Sequence, residues 1–320
     1  MSRAGSKWAW SGLEMLEGRG LMSGGLSGVW EIPNIVYTDL GGPQHLDLYL
    51  PTGPAPAGGR PAILALPGGG WRWVDRNSLG ITVGALARYG YVVAVADYAY
   101  ASSTPGSPGV WPTDFEDVRD AVRWLRDNAG RFGIDPSRIA AWGESAGGHL
   151  ANLLGTYPDG PVNPDGPPAD PVGTPTGVSA RVQAVVDFYG PTDLTSLYNE
   201  DPRDRPFLET FLGGTPDQYP GRYQAASPLL DVTPNDPPFF VIQGTADRAN
   251  PYDQSTRFAA SLRAAGVPTS FLLLPNVPHG FRLKLGTNLN LLPDVLDFLD
   301  SALNHHGVGV LPDGLYASRA

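Results

Sequence analysis

The chain has 320 residues, 42% of them hydrophobic and 10% aromatic, which is ample for one large α/β domain or two small ones. Its formal charge of −10, from 22 basic and 32 acidic residues, argues against nucleic acid or an anionic membrane as partner and would slow polyanionic substrates. Cysteine is absent, which rules out a disulfide framework, a thiol nucleophile and a thiolate metal site, and fits a reducing compartment.

Residues 1–34 read as an irregular arm rich in Gly, Ser, Trp and Met, with a short helix expected at Ser11–Glu17. Met1–Gly28 lacks an apolar stretch long enough for a secretory signal, and no run reaches membrane-spanning length, so cytoplasmic residence is expected. Tyr37–Leu40 and Leu46–Leu50 are expected to be strands joined by a turn at Gly41-Gly42-Pro43. A Pro/Gly/Ala linker at 51–60 leads to the continuous apolar strand Ala62–Leu66, stopped by Pro67-Gly-Gly-Gly70. A helix over Leu79–Tyr89, ended by Gly90, precedes the apolar strand Tyr91–Ala96. Thr113 and Glu116 match a capping box, and Phe115, Val118, Val122, Leu125, Ala129 and Phe132 form the helical stripe behind it.

Ile139–Trp142 is the next buried strand, and a Pro/Gly/Asp-rich loop at 157–177 leads to a strand over Val182–Phe188. Residues 191–236 mix prolines, aromatics and short apolar pieces, and are expected to form an inserted cap or lid. The remaining elements are a strand at Phe239–Ile242, a helix over Ser255–Ala265 closed by Gly266, a strand at Ser270–Leu274 and a helix over Leu291–Leu303. Apolar strands alternating with amphipathic helices predict an α/β fold: a mostly parallel sheet over 35–305, covered by helices on both faces, with 306–320 as a tail. Ligands of such sheets sit at the carboxyl ends of the strands, so chemically capable residues just after strands are the candidates.

The strongest local signal is Gly143-Glu-Ser-Ala-Gly147, between the strand ending at Trp142 and a helix beginning near His149. A sharp strand-to-helix turn lifts a serine hydroxyl above the sheet edge, and glycine is needed two residues to either side because a side chain there would strike the strand or helix. The helix also aims its amide dipoles at Ser145, where charge develops in acyl transfer. A histidine base and an acid should follow. Of five histidines, His279 alone sits on a loop after a strand and after the serine in sequence, whereas His149 is expected to pack beneath the turn. Asp247 lies just past the strand 239–242 and is the favoured acid, with Asp253, Asp187 and Asp193 as alternatives. The oxyanion requires backbone N–H donors, expected from Ala146 and from the glycine run after Leu66.

Taken together, Pro67-Gly-Gly-Gly-Trp71, Trp142-Gly-Glu-Ser-Ala-Gly-Gly-His149, Asp187-Phe-Tyr-Gly-Pro191, Gln243-Gly-Thr-Ala-Asp247 and His279-Gly-Phe281 resemble the α/β-hydrolase superfamily. The chain is most similar to bacterial esterases related to the hormone-sensitive-lipase group and to feruloyl and acetyl esterases. The resemblance implies a triad of Ser145, Asp247 and His279, an oxyanion hole of Gly69, Gly70 and Ala146, and an acyl-enzyme route without cofactor or metal. The family usually has histidine where this chain has Pro67, which leaves open what braces the glycine loop. The expected substrate is a small to medium ester, aryl or bulky groups included, against a pocket lined by Trp71, Trp73 and the 191–236 region. An aryl-formamide or amide hydrolase of the same fold is the alternative within enzymes, and a non-catalytic binding protein on this scaffold the alternative outside them.

Overall fold

The computed structural model describes residues 21–22, 27–39, 42–101, 111–159, 177–281, 290–304 and 314–315. The helix expected at Ser11–Glu17 and most of the 157–177 loop lie outside them.

Ten strands form one sheet: β1 (Leu21–Met22), β2 (Val29–Thr38), β3 (Gln44–Pro51), β4 (Arg60–Leu66), β5 (Val92–Ala96), β6 (Ile134–Glu144), β7 (Ala184–Phe188), β8 (Phe239–Gly244), β9 (Thr269–Leu274) and β10 (Gly314–Leu315). Their spatial order is β1-β2-β3-β5-β4-β6-β7-β8-β9-β10. The β1, β2 and β3 pairings are antiparallel, and every pairing from β5 through β4 to β10 is parallel.

Nine helices accompany the strands among the described residues: α1 (Asn77–Gly84), α2 (Thr113–Asp127), α3 (Ala129–Phe132), α4 (Ala146–Thr156), α5 (Leu194–Glu200), α6 (Arg205–Leu212), α7 (Pro220–Ala225), α8 (Tyr252–Ala264) and α9 (Leu292–Asn304). β4 shows how they cover the sheet. Ala62, Leu64 and Leu66 face a core shared with Phe115 and Val118 of α2, Leu150 of α4 and Phe258 of α8. Ile63 and Ala65 face the opposite core, with Leu79 and Val83 of α1 and Val295 and Phe298 of α9. Because side chains alternate across a strand, a run buried on both faces must be apolar at every position.

Several boundaries differ from the sequence reading. The first long strand begins at Val29, inside the expected arm, because Val29–Ile32 pair with Leu48–Pro51 of β3. Gly314 and Leu315, in the expected tail, pair with Leu272 and Leu273 of β9. The capping box does not form: Thr113 is already helical after Pro112, and Arg119 Nη1 donates to Glu116 Oε1 at 3.0 Å. Between β7 and β8 the 191–236 segment folds into α5, α6, α7 and a 3-10 turn, Pro228–Asp231, with Leu197, Leu208 and Phe211 sealed into the core that holds α2 and α4.

Candidate active site

Ser145 joins β6 to α4 with φ 54° and ψ −119°. A non-glycine residue pays strain at positive φ and keeps it only where its surroundings over-determine it. Here the Ser145 N–H donates to Phe188 O at 2.9 Å, and Ser145 O accepts the His149 N–H at 2.9 Å. The flanking glycines follow from close approach. A Cβ on Gly143 would lie 2.1 Å from Gly147 O, and one on Gly147 would lie 2.1 Å from Leu66 O at the end of β4.

Three loops at the carboxyl ends of β6, β8 and β9 bring Ser145, Asp247 and His279 together. His279 Nε2 is 3.0 Å from Ser145 Oγ, and His279 Nδ1 is 2.7 Å from Asp247 Oδ2. The Asp247 side chain is fully buried and the His279 side chain is 28% exposed, so the relay runs from the interior to the cavity surface. Asp247 Oδ1 accepts the N–H groups of Ala249 and Asn250 at 2.9 and 2.8 Å, and Oδ2 accepts Gln243 Nε2 at 3.0 Å. Gln243 is fixed in turn by Ser255, whose hydroxyl donates to Gln243 Oε1 at 2.9 Å. The two loops are also tied to each other: Thr245 N–H donates to Leu274 O at 2.9 Å and Ala246 N–H to Val277 O at 3.0 Å. The Tyr189 ring packs edge-on against the imidazole, with the ring centres 4.7 Å apart.

The glycine loop lies against this relay. A Cβ on Gly68 would be 3.1 Å from Ser145 Cβ. Without a histidine at position 67, the loop is held from other directions. Tyr98, just past β5, donates its hydroxyl to Pro67 O at 2.7 Å, and Ala101 N–H donates to Trp71 O at 2.7 Å. Trp71 is 5% exposed, stacks on Phe211 of α6 at 4.7 Å and donates Nε1–H to His149 Nδ1 at 3.2 Å. The other ring nitrogen of His149 donates to Ala226 O at 2.7 Å, which fixes its tautomer. Burial pushes His149 down to about 4, so it is a neutral packing residue that links α4, the glycine loop and the 191–236 segment.

The alternative acids are engaged elsewhere. Asp187, pushed up to about 7 by burial, accepts Asn152 Nδ2 at 2.9 Å and Gly190 N–H at 2.8 Å. Asp193 caps α5 and pairs with Arg257, as does Asp253.

A cavity of about 730 Å³ opens over Ser145 and His279, lined by Gly68 to Trp73 on one side and by Leu197, Asp204 and Phe207 of the 191–236 segment on another. Both tryptophans line it, in different ways: Trp73 is 70% exposed at the rim, whereas Trp71 is locked beneath. Tyr98 and Gln243 carry no signal in the sequence that marks them for the site; Asp204 and Phe207 fall in the 191–236 region expected to line the pocket, but nothing in the sequence singles them out within it. Gln243 stands within a motif, but nothing local identifies its side chain as a support for Asp247. Among the described residues, no group of three or more His, Cys, Asp or Glu side chains is arranged to hold a metal ion, and no helix is long and apolar enough to cross a membrane.

This sheet and its carboxyl-end loops define an α/β-hydrolase. Residues 46–262 match the BD-FAE family, and the chain belongs to that family. It is similar to esterase LipQ of Mycobacterium tuberculosis, 33% identical over 83% of this chain and 61% of LipQ. Esterase LipC of the same organism is 33% identical over 87% of this chain and 64% of LipC. The chain thus spans about three-fifths of the length of these relatives. The apo form of Thermogutta terrifontis esterase 2 superposes with a TM-score of 0.69 at 27% identity, covering 90% of this chain and 98% of that one. That esterase is also known phosphorylated by paraoxon.

Proposed function

We propose that the chain is a serine carboxylic-ester hydrolase that works through an acyl-enzyme. The observation that carries this reading is the unbroken relay from Ser145 Oγ through His279 to a buried, four-fold hydrogen-bonded Asp247, at the floor of an open cavity. In this reading His279 Nε2 takes the Ser145 proton as Oγ attacks the ester carbonyl. Asp247 accepts Nδ1–H and stabilises the imidazolium. The oxyanion is held by the N–H groups of Gly69, Gly70 and Ala146. Ala146 opens α4, where the first amides have no intrahelical acceptor, and Gly69 and Gly70 are both at positive φ. His279 then protonates the leaving alcohol, and water repeats the cycle on the acyl-enzyme.

The cavity size and the exposed rings of Trp73 and Phe207 support small to medium esters, aryl or bulky groups included. A net charge of −10 disfavours nucleic acid as a partner, and the composition supports the cytoplasm as the compartment, which cell fractionation tests. The enzymatic test is turnover of p-nitrophenyl acetate and butyrate beside p-nitroacetanilide, with paraoxon as inhibitor. Esters should be cleaved faster than the anilide, and one diethylphosphoryl group should attach at Ser145. Ser145→Ala should lower kcat by at least about a thousandfold and take up no phosphoryl group. Undiminished turnover in that variant would remove the nucleophile from the mechanism.

A further inference from the structure

Two carboxylates that line the cavity, Glu144 and Asp204, take no part in the relay. Asp204 occupies the N-cap position of α6, where an aspartate ordinarily accepts a backbone N–H of the first turn, yet its side chain makes no capping hydrogen bond. Its Oδ2 is buried and without a hydrogen-bond partner, and its side chain lines the cavity that holds Ser145 and His279. An unsatisfied buried oxygen is costly, so a carboxylate that forgoes its cap is poised to be satisfied by something else. Its place in the fold is fixed. Asp204 O accepts the N–H of Phe207 at 3.0 Å, and the Phe207 ring stands against the glycine loop, 3.2 Å from where a Gly70 Cβ would be. Arg203, the residue before Asp204, donates Nη2–H to Arg248 O at 3.2 Å, which ties this segment to the loop that carries Asp247, the partner of His279. Burial and the neighbouring Asp201 push Asp204 up to about 6, while Arg203 and His279 draw it down. Arg72 lines the same cavity, with its guanidinium over the Phe207 ring at 5.0 Å.

The chemistry at His279 says which part of a substrate meets Asp204. His279 Nε2 delivers its proton to the departing alkoxide, so the alcohol half of the ester lies on the His279 side. Resting on the ester-hydrolase reading, we propose that Asp204 is a specificity-determining residue that selects esters whose alcohol carries a hydrogen-bond donor, hydroxyl or ammonium, beyond the scissile oxygen, and rejects alcohols that carry a carboxylate. The donor satisfies the unpartnered oxygen, whereas a carboxylate placed there meets a like charge in a partly desolvated site.

The test compares four acetates of similar size at about pH 7.5, where Asp204 is ionised: propyl, 2-hydroxyethyl, protonated 2-(dimethylamino)ethyl, and 2-carboxyethyl. In the wild type, kcat/KM for the ammonium ester should exceed that for the carboxylated ester by at least about a hundredfold, from two opposed effects of about tenfold each. In Asp204→Asn the ammonium-to-propyl ratio should fall, and the carboxylate-to-propyl ratio rise, by at least about tenfold each. The change should appear mainly in KM, since the contact is made in ground and transition state alike. Asp204→Ala extends the comparison to the hydroxyl ester. A fall in its ratio to propyl acetate assigns the site to neutral and cationic donors alike, and a fall for the ammonium ester alone assigns it to cationic alcohols. Equal wild-type rates on the ammonium and carboxylated esters would overturn the inference even if neither variant folds, and so would unchanged ratios in folded variants. If the wild type cleaves none of the four and no p-nitrophenyl acetate, the ester-hydrolase reading falls and takes the inference with it. Turnover of propyl acetate without discrimination overturns the inference alone.

Discussion

Trp71 and Trp73 stand two residues apart on the glycine loop and are held by different forces. Trp71 is a buried anchor, stacked on Phe211 and bonded to His149; Trp73 is a largely exposed rim residue. Trp71→Phe keeps a ring against Phe211 but deletes the donor to His149. It should lower kcat/KM on acetate, butyrate and a bulky aryl ester by similar factors, because it loosens backbone donors that every substrate uses. Trp73→Ala should spare acetate and cost the bulky ester several-fold. The opposite pattern in the three rates would reverse these roles.

His149 gives a separate residue-scale prediction. Its imidazole sits near 4 in the folded protein, against about 6.5 in an unfolded chain, so between these values the unfolded state binds the extra proton. The stabilisation from keeping it neutral is complete above about pH 6.5 and is lost as pH falls toward 4. His149→Phe removes the titration along with two hydrogen bonds. The stability gap between wild type and variant should therefore narrow by roughly 2–3 kcal/mol from pH 7.5 to about 4.5, read from urea unfolding curves. A gap independent of pH would show that His149 is not the buried neutral group described.

At the scale of elements, the turn between β6 and α4 depends on how closely three backbones pass. Gly147 lies against the end of β4, with no room for even one methyl group. Gly147→Ala should cost at least about 2 kcal/mol and remove paraoxon labelling of Ser145, since the elbow must open to admit the Cβ. Gly130, in the short helix α3, has nothing within 4 Å of where a Cβ would sit. Gly130→Ala should be neutral or raise stability by about 0.5–1 kcal/mol, because it restricts the unfolded chain without a clash. Denaturation midpoints of the two variants should move in opposite directions or, for Gly130, stay in place.

For the whole molecule, charge acts at a distance. A net charge of −10 repels anionic substrates before any contact and attracts cationic ones, and dissolved salt screens both effects. Raising ionic strength from about 0.02 to 0.5 M should increase kcat/KM on 2-carboxyethyl acetate, decrease it on the protonated amino ester and leave propyl acetate unchanged. A salt response of the same sign on all three would point to an effect on the protein itself.

Much of the architecture was legible in the chain because it rests on local pattern. Ala62–Leu66 and Phe239–Ile242 are apolar at every position, as a short strand buried on both faces requires. The elbow was legible because its two close approaches fall on residues two positions from Ser145. Loops following strands could also be read, and with them the positions of Asp247 and His279 at one edge of a parallel sheet. Long-range contacts carried no such mark. The partners of Val29–Ile32 in β3, the Tyr98 hydroxyl that holds Pro67, the Phe211 ring beneath Trp71 and the uncapped carboxylate of Asp204 each depend on residues brought together from distant parts of the chain. Periodicity and motif report how neighbours along the chain share a face; which side chain fills a particular space across the fold is decided by packing, and packing exists only once the sheet and its two helical layers have closed.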